Sequence, residues 1–481
     1  MESTQTQTRA PLKLNYKRTM LIGFAFFGIL LLWQVYDSWC PTLLTELFKK
    51  SFGIDDETQV QYLVGVMMAI DNLAALILLP IFGRLSDKTR TPIGKRMPYI
   101  LVGTAVCAIA FPFIPIFYHY NNVAGVISMM AIVVIFAMMY RNPAVALMPD
   151  ITPKPLRSKA NGIINIMGYI GGAFATVVGI FFVLSDYLGT AVNKDGTPKA
   201  HTWAFNNIWA IEAPFLIGSV LMVISAIVLF FTIRENELAA KLKEEMEQGE
   251  QEAEVVDKVT EDAPLSKANK TMLLLILGAE FFWFMADNGI ATFMGNYAIY
   301  FLKTTSASNM INTIVGGVGS VVGFAIGGII ASKIGRKWTL FSGLALSFTA
   351  FLVWAILSFT VPGLQGCGYF PAWIYVIWFI KGFGMSLVHV NSYPMVVELC
   401  PNSRIGRYTG YYYAASMAAQ TITPIALGTL LFAKLATGWS LLPIYGGVCL
   451  LIAAVIFFFV KNVKTTKTSF KKGLEALDAD D

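Results

Sequence analysis

Charge is scarce in this chain. Of its 481 residues only 14% are charged and 56% are hydrophobic, and the mean hydropathy is +0.61. A water-facing surface needs more charge than that, which excludes an ordinary soluble globular protein. Histidine is nearly missing, with three residues, and the five cysteines (Cys40, Cys107, Cys367, Cys400 and Cys449) are odd in number, dispersed and mostly set in apolar runs. Such an inventory supports neither a disulfide framework nor a zinc site. There is no GxxxxGK[ST] phosphate loop and no HExxH pair, which argues against an ATP-driven pump or a membrane metalloenzyme. The chain is expected to be no enzyme and to hold no metal and no cofactor.

Long apolar runs are what the chain has in quantity. Crossing about 30 Å of hydrocarbon takes about 20 apolar residues in a helix. Twelve segments meet that need, over 20–48, 60–83, 97–118, 122–147, 160–186, 206–233, 271–302, 309–332, 338–361, 370–398, 408–434 and 440–461. The first follows Arg9, Lys13, Lys17 and Arg18. It runs well past the length of a signal-peptide core, so it is read as a retained first helix. Lys and Arg crowd into the two tails and into the loops after helices 2, 4, 8 and 10. The opposite loops hold only Lys49, Lys50, Lys194, Lys199, Lys303 and Lys434. That asymmetry predicts both termini in the cytoplasm of a cell (plasma or inner) membrane protein, and it accounts for the net charge of +6 without nucleic acid. The expected partners are the lipid bilayer and a small molecule, with the chain as a monomer.

The stretch 234–270 is acidic and almost free of large apolar residues, and it reads as a solvated, partly helical linker. It separates 20–233 from 271–461, six apolar segments on each side, with tails at 1–19 and 462–481. The two sides echo each other at a nearly constant offset. WQVYD in helix 1 returns as WFMAD in helix 7, RNPAVALMPD in helix 4 as SYPMVVELCP in helix 10, and GRLSDKTRTPIGKR after helix 2 as the shorter GGIIASKIGRK after helix 8. Three matches in the same order predict two parallel six-helix bundles related by an axis along the membrane normal, with a substrate site between them.

On these residues the chain resembles the major facilitator superfamily. GRLSDKTRTPIGKRMP is similar to the loop signature GxxxDxxxxxxGxRxP of the glycoside/cation symporters and the proton-coupled sucrose transporters. RNPAVALMPDI resembles the end of their helix 4, and NSYPMVVELCPNSRIGRYTG the helix 10–11 turn of the bacterial branch. The resemblance implies an all-α membrane protein of the major facilitator fold, with twelve transmembrane helices in two pseudo-symmetric bundles. It also implies a cytoplasmic gate made by Gly83, Arg84, Asp87, Arg90, Gly94, Arg96, Asp150, Arg157, Glu398 and Arg404, holding the inner mouth shut until the protein opens inward. The match has gaps. Ala75 and Leu79 stand where the melibiose permease branch carries its sodium-linked aspartates, Leu30 where that branch has a sugar-binding aspartate, and Val134 where plant sucrose transporters have an acid.

Inside the predicted spans only Arg141 and Lys381 are basic, and Asp37, Asp71, Glu212, Glu280 and Asp287 are acidic. Each buried charge costs about 2.5–3.5 kcal/mol on insertion scales, so each needs a partner or a purpose. Asp71, Asp37 and Asp287 are candidate proton carriers. A structural alternative pairs Asp71 or Asp37 with Arg141, and Asp287 or Glu280 with Lys381, as fixed ion pairs. Polar residues recur at helical spacing as Asn161, Asn165 and Tyr169 in helix 5 and as Tyr412, Ser416 and Gln420 in helix 11. With Trp33, Tyr36, Asp37, Asn72, Trp283, Asp287, Asn288, His389 and Asn391 they supply the amides, hydroxyls and aromatic faces that a neutral sugar needs. The same groups also join transmembrane helices to one another. The expectation is a secondary active transporter, importing a disaccharide or α-glucoside with protons. Sodium fits less well, because no cluster of oxygen ligands is visible. The alternatives are efflux of an amphipathic compound and a non-transporting sensor.

Overall fold

In hydrocarbon every backbone N–H and C=O must be satisfied within the protein, and a helix achieves this inside one segment. The structure, a computed structural model, describes residues 12–199, 208–257, 267–399, 405–433 and 438–461. Most of both tails lies outside those residues. Twelve helices are long and apolar enough to span a membrane. They are α1 (Tyr16–Phe52), α2 (Glu57–Lys88), α3 (Met97–His119), α4 (Val123–Asp150), α5 (Lys159–Leu188), α6 (Ile211–Thr232), α7 (Lys267–Phe301), α8 (Ser306–Ile334), α9 (Arg336–Thr360), α10 (Ala372–Val396), α11 (Tyr408–Phe432) and α12 (Gly438–Phe458). Local chemistry sets several ends. The Asn15 side chain accepts from the Arg18 N–H at 3.0 Å, Asn122 accepts from the Gly125 N–H at 2.9 Å, and Gly53 ends α1 at φ +65°. Pro41, Pro143, Pro394 and Pro424 lie inside α1, α4, α10 and α11.

The packing repeats with a shift of six helices. In the first half α1 packs on α5 and α6, α3 on α4 and α6, and α2 on α4. In the second half α7 packs on α11 and α12, α9 on α10 and α12, and α8 on α10. The contacts between halves obey the same symmetry, since α2 meets α11 and α8 meets α5. Glycine permits the tightest approaches. A Cβ at Gly319 or Gly323 would press on the Phe379 or Phe383 carbonyl of α10, so the four-residue spacing in α8 serves helix contact.

The hydrogen bonds that join the halves gather at the end of the bundle away from the chain termini. Asn296 of α7, fully buried, accepts from Thr42 Oγ1 at 2.7 Å and donates to Thr45 Oγ1 at 3.0 Å and Gln61 Oε1 at 3.2 Å. Around it Tyr300 donates to Glu46 at 2.9 Å and the Trp439 indole to Glu57 at 3.1 Å. Gly65 of α2 lies against the Pro424 backbone, and Gly428 of α11 against that of Gln61. The halves are therefore clamped at the far end by side-chain hydrogen bonds and close backbone contact.

The linker departs from the solvated reading. Its helices, Glu235–Lys241 and Lys243–Asp257, are docked on the first half, with Glu235 and Leu242 buried and Gly249 against Pro153 and Pro155. Acidic composition concealed this because the buried acid faces backbone N–H groups rather than water.

Removing the hub should loosen the far end. Asn296→Leu deletes three buried hydrogen bonds, each worth about 0.5–1.5 kcal/mol net, and strands their partners. Single cysteines placed at the far mouth should become labelled at least roughly tenfold faster, a shift of about 1.4 kcal/mol. Equal labelling in the two proteins would remove Asn296 from this role.

A polar cavity between the halves and a charge cluster at the termini-bearing end

Helical register on α1 builds the wall of the central cavity. Trp33, Asp37 and, along the same face, Gln34, Ser38, Pro41 and Thr42 look across at α7, which presents Phe284, Asn288, Ala291, Thr292 and Gly295. Two adjoining chambers result. One, of about 280 Å³, adds Asn309, Thr313 and Ser320 from α8 and Trp378 and Lys381 from α10. The other, of about 400 Å³, adds Asp71 and Asn72 from α2, Arg141 from α4 and Tyr412, Tyr413, Ser416 and Gln420 from α11. Asp37, Ala291 and Thr292 line both, so Asp37 stands at their junction. Each chamber has one indole, from opposite halves, among neutral amides and hydroxyls.

Asp37 is exposed to this space and close enough to Arg141 to interact electrostatically, without closing an ion pair. Asp71 is buried, and the Tyr36 hydroxyl donates to it at 3.1 Å. It has no basic partner among the described residues, so the expected Asp71–Arg141 pair is not formed. In the second half Lys381 pairs with Asp287, as one of the two expected arrangements has it. Asn72 spans the halves, its amide donating to the Gln420 carbonyl at 3.2 Å.

Several expected contacts do not reach the cavity. Tyr36 is fully buried behind Asp71, and Trp283 is fully buried in the core of the second half, because one helix cannot turn all its aromatic residues to one face. Asn391 turns back to the Leu387 carbonyl of its own helix at 2.9 Å. His389 lies tilted against Phe284, with ring centroids 5.3 Å apart, and of the two only Phe284 lines the larger chamber. Asn161, Asn165 and Tyr169 share a face of α5, but that face lines neither chamber. The glycine face of α5, with Gly168 and Gly171 against Leu30 and Phe27, is the one turned to α1. Glu280, expected as a possible partner of Lys381, lies two turns from Asp287, and Lys381 is already taken. Conversely Gln34, Ser38, Thr42, Asn309, Thr313, Ser320 and Trp378 line the cavity and were missed. Their signal, a polar stripe at helical spacing on α8 (Asn309, Thr313, Ser320), is present in the sequence.

At the termini-bearing end Arg96 organises the loop between α2 and α3. Its guanidinium is buried, bonds Asp150 Oδ2 at 2.8 Å through Nε, and reaches Asp87 and Ser86 through its two other nitrogens. Burial alone would lower its pKa, but the hydrogen bonds and charges of Asp150 and then Asp87 hold it above the ordinary value. Lys95 joins Asp150 at 3.1 Å. Arg157 caps the end of α4 instead, donating to the Pro149 carbonyl at 2.9 Å and that of Thr152 at 3.0 Å. Gly83 packs on the Asn142 amide, while Arg84 and Arg90 are exposed outside the cluster. Arg404 and the side chain of Glu398 lie outside the described residues. Among the described residues, the ion pairs of the cluster stay within the first half. Sequence reasoning missed Glu235, whose carboxylate accepts from the backbone N–H groups of Lys95, Arg96 and Met97 at 3.0–3.3 Å, capping α3. Gly94, at φ +115°, leaves the room for it that a Cβ would fill.

The family model described as Major Facilitator Superfamily matches residues 3–176, 42–370 and 276–478. No curated protein sequence matches the chain. A POT family transporter solved with 5-aminolevulinic acid aligns with a TM-score of 0.65 at 12% identity, over 92% of this chain and 96% of that one. The inward open xylose transporter XylE from E. coli gives 0.63 at 14%, over 95% and 99%, and a D-xylose-proton symporter gives 0.60 at 16%, over 94% and 99%. At such identities the likeness concerns the fold.

Glu235→Ala should leave three first-turn N–H groups of α3 without their acceptor, a loss of about 1–3 kcal/mol. The thermal unfolding midpoint in detergent should fall, with Glu235→Gln, which keeps one acceptor oxygen, falling less. An alanine variant as stable as the parent would show that the cap contributes nothing.

Proposed function

Because this chain belongs to the Major Facilitator Superfamily of membrane transporters, we propose that it is a secondary active transporter that imports a neutral sugar, a disaccharide or α-glucoside, together with protons. The observation that carries this reading is the composition of the cavity wall. Amides from both halves (Gln34, Asn72, Asn288, Asn309, Gln420) line the two adjoining chambers, with Trp378 in the smaller and Trp33 in the larger. Amides bond paired sugar hydroxyls in both directions, and an indole covers the C–H face of a pyranose. The chamber volumes fall near the lower end of the usual range for small-molecule pockets, about 300–1,000 Å³. A purely apolar efflux substrate would strand the amides.

The sidedness follows from the distribution of Lys and Arg, which places both termini in the cytoplasm of the cell membrane. The end clamped around Asn296 then faces away from the cytoplasm, which is the side closed in an inward-facing conformation. In this cycle Asp71 is the first choice for the coupling proton. It lines the cavity, lacks a counter-charge, and keeps its geometry through Tyr36. Asp37, opposite Arg141 at the junction of the chambers, and Asp287, paired with Lys381, are the other candidates. A proton entering through about 100 mV contributes about 2.3 kcal/mol, enough for roughly fiftyfold accumulation.

Purified protein in liposomes with an imposed pH gradient should accumulate a labelled disaccharide, and a protonophore should abolish the accumulation. Asp71→Asn should lose gradient-driven accumulation while keeping exchange of internal for external sugar. Full accumulation by the variant would remove Asp71 as the carrier, and indifference of the parent to the gradient would remove proton coupling altogether.

A further inference from the structure

Glu280 is an acid of the second half for which neither the cavity nor the charge pairs account. It sits on α7, fully buried, and neither carboxylate oxygen has a hydrogen-bond partner among the described residues. The one base of the second half that lines the cavity, Lys381, is held by Asp287. The groups facing Glu280 are neutral. From α11 they are Tyr412 and Tyr413, both close enough to feel its charge. The span α12, which also packs on α7, contains no charged residue. On α10 Ser392 shares a 2.8 Å hydrogen bond with the Tyr412 hydroxyl, while His389 stands against Phe284 and interacts with Asp287 and Lys381.

An ionised carboxylate in such a seam has neither water nor a counter-charge to solvate it, and burial of that kind is tolerated only when the group is neutral, gains a cation, or the seam opens. The seam is the contact of α7 with α11, two helices that carry cavity residues. Tyr412 belongs to both places, lining the larger chamber and bordering Glu280.

We propose that Glu280 is a second proton-binding site, in the second half, that holds a proton while α7 and α11 are packed as in this conformation and releases it when they part. The proposal deepens the proton-coupled reading above and rests on it for its transport consequence, but not for the existence of the bound proton. Tyr412, which borders both Glu280 and the larger chamber, marks the path between them. No covalent step is involved.

Glu280→Gln mimics the protonated group and tests this in two independent ways. Infrared spectra of the purified protein, titrated with pH, should lose one protonated-carboxyl carbonyl band relative to the parent. In liposomes the variant should keep sugar exchange within about twofold and lose roughly tenfold or more of the gradient-driven accumulation, most of what one proton can supply. Where the amide variant does not purify as a monodisperse protein, Glu280→Leu offers the same two readouts with a side chain suited to an apolar seam. An unchanged set of carboxyl bands would overturn the proposal, as would full gradient-driven accumulation in the variant. A parent protein indifferent to the gradient whose spectrum still loses the band would overturn proton coupling and leave Glu280 as a proton site.

Discussion

The closure around Asn296 is the constraint on which the rest of the arrangement depends. One fully buried amide satisfies Thr42, Thr45 and Gln61 at once, and so ties α7 of one half to α1 and α2 of the other. A buried polar group left unmade is costly, so the clamp is nearly all-or-none: the four side chains meet together or separate into water together. Glycine makes the rest of the seam thin. Gly65 and Gly428 let α2 and α11 approach backbone to backbone, and the two contacts mirror each other across the pseudo-symmetry. With one end fixed in this way, the free motion left to two rigid bundles is rotation about the clamp, which widens or narrows the opposite mouth and changes the surroundings of everything between.

What lies between is asymmetric despite the repeat. Asp37 and Asp287 occupy equivalent places on α1 and α7, yet Asp287 closes an ion pair with Lys381 while Asp37 faces Arg141 across the cavity without closing one. The first half therefore offers the chamber an acid and a base with bonding capacity to spare, and the second half offers a nearly neutral pair. A ligand that bridges the halves meets its strongest polar partners on α1, α2 and α4, and aromatic and amide surfaces on α7, α10 and α11. Only interactions that differ between conformations can shift their balance, and the incompletely partnered first half is where such differences are largest.

Much of the architecture was legible in the sequence because hydrocarbon imposes a strict rule, about 20 apolar residues per crossing, that leaves a one-dimensional trace. The repeat was legible for a similar reason, since Trp33 with Asp37 and Trp283 with Asp287 survive at equivalent register. The site was legible in part. Residues on α1, α2 and α11 could be placed because their polar stripes face a known kind of cavity, but periodicity does not say which way a stripe points. The α5 stripe, Asn161, Asn165 and Tyr169, has the same spacing as the α11 stripe and lines neither chamber, because the glycine face of α5 takes the contact with α1. Trp283 repeats Trp33 in sequence and not in exposure. Glu235 was hidden for another reason: its partners are backbone N–H groups, which no residue code displays.

The same cap bears on how the halves move. Arg96, Asp87, Asp150, Lys95 and Glu235 bind the ends of α2, α3 and α4 and the start of the linker into one unit, whereas the corresponding turn of the second half is shorter. Like the first, that turn has a glycine at positive φ, Gly335, and in it Lys337 donates to the Phe458 carbonyl at 3.0 Å. The linker is therefore carried by the first half, its helix seated on Pro153 and Pro155. A chain segment that travels with one bundle cannot act as a slack tether between two. The cluster at the loop after α2 therefore works as an anchor for the first half in this conformation.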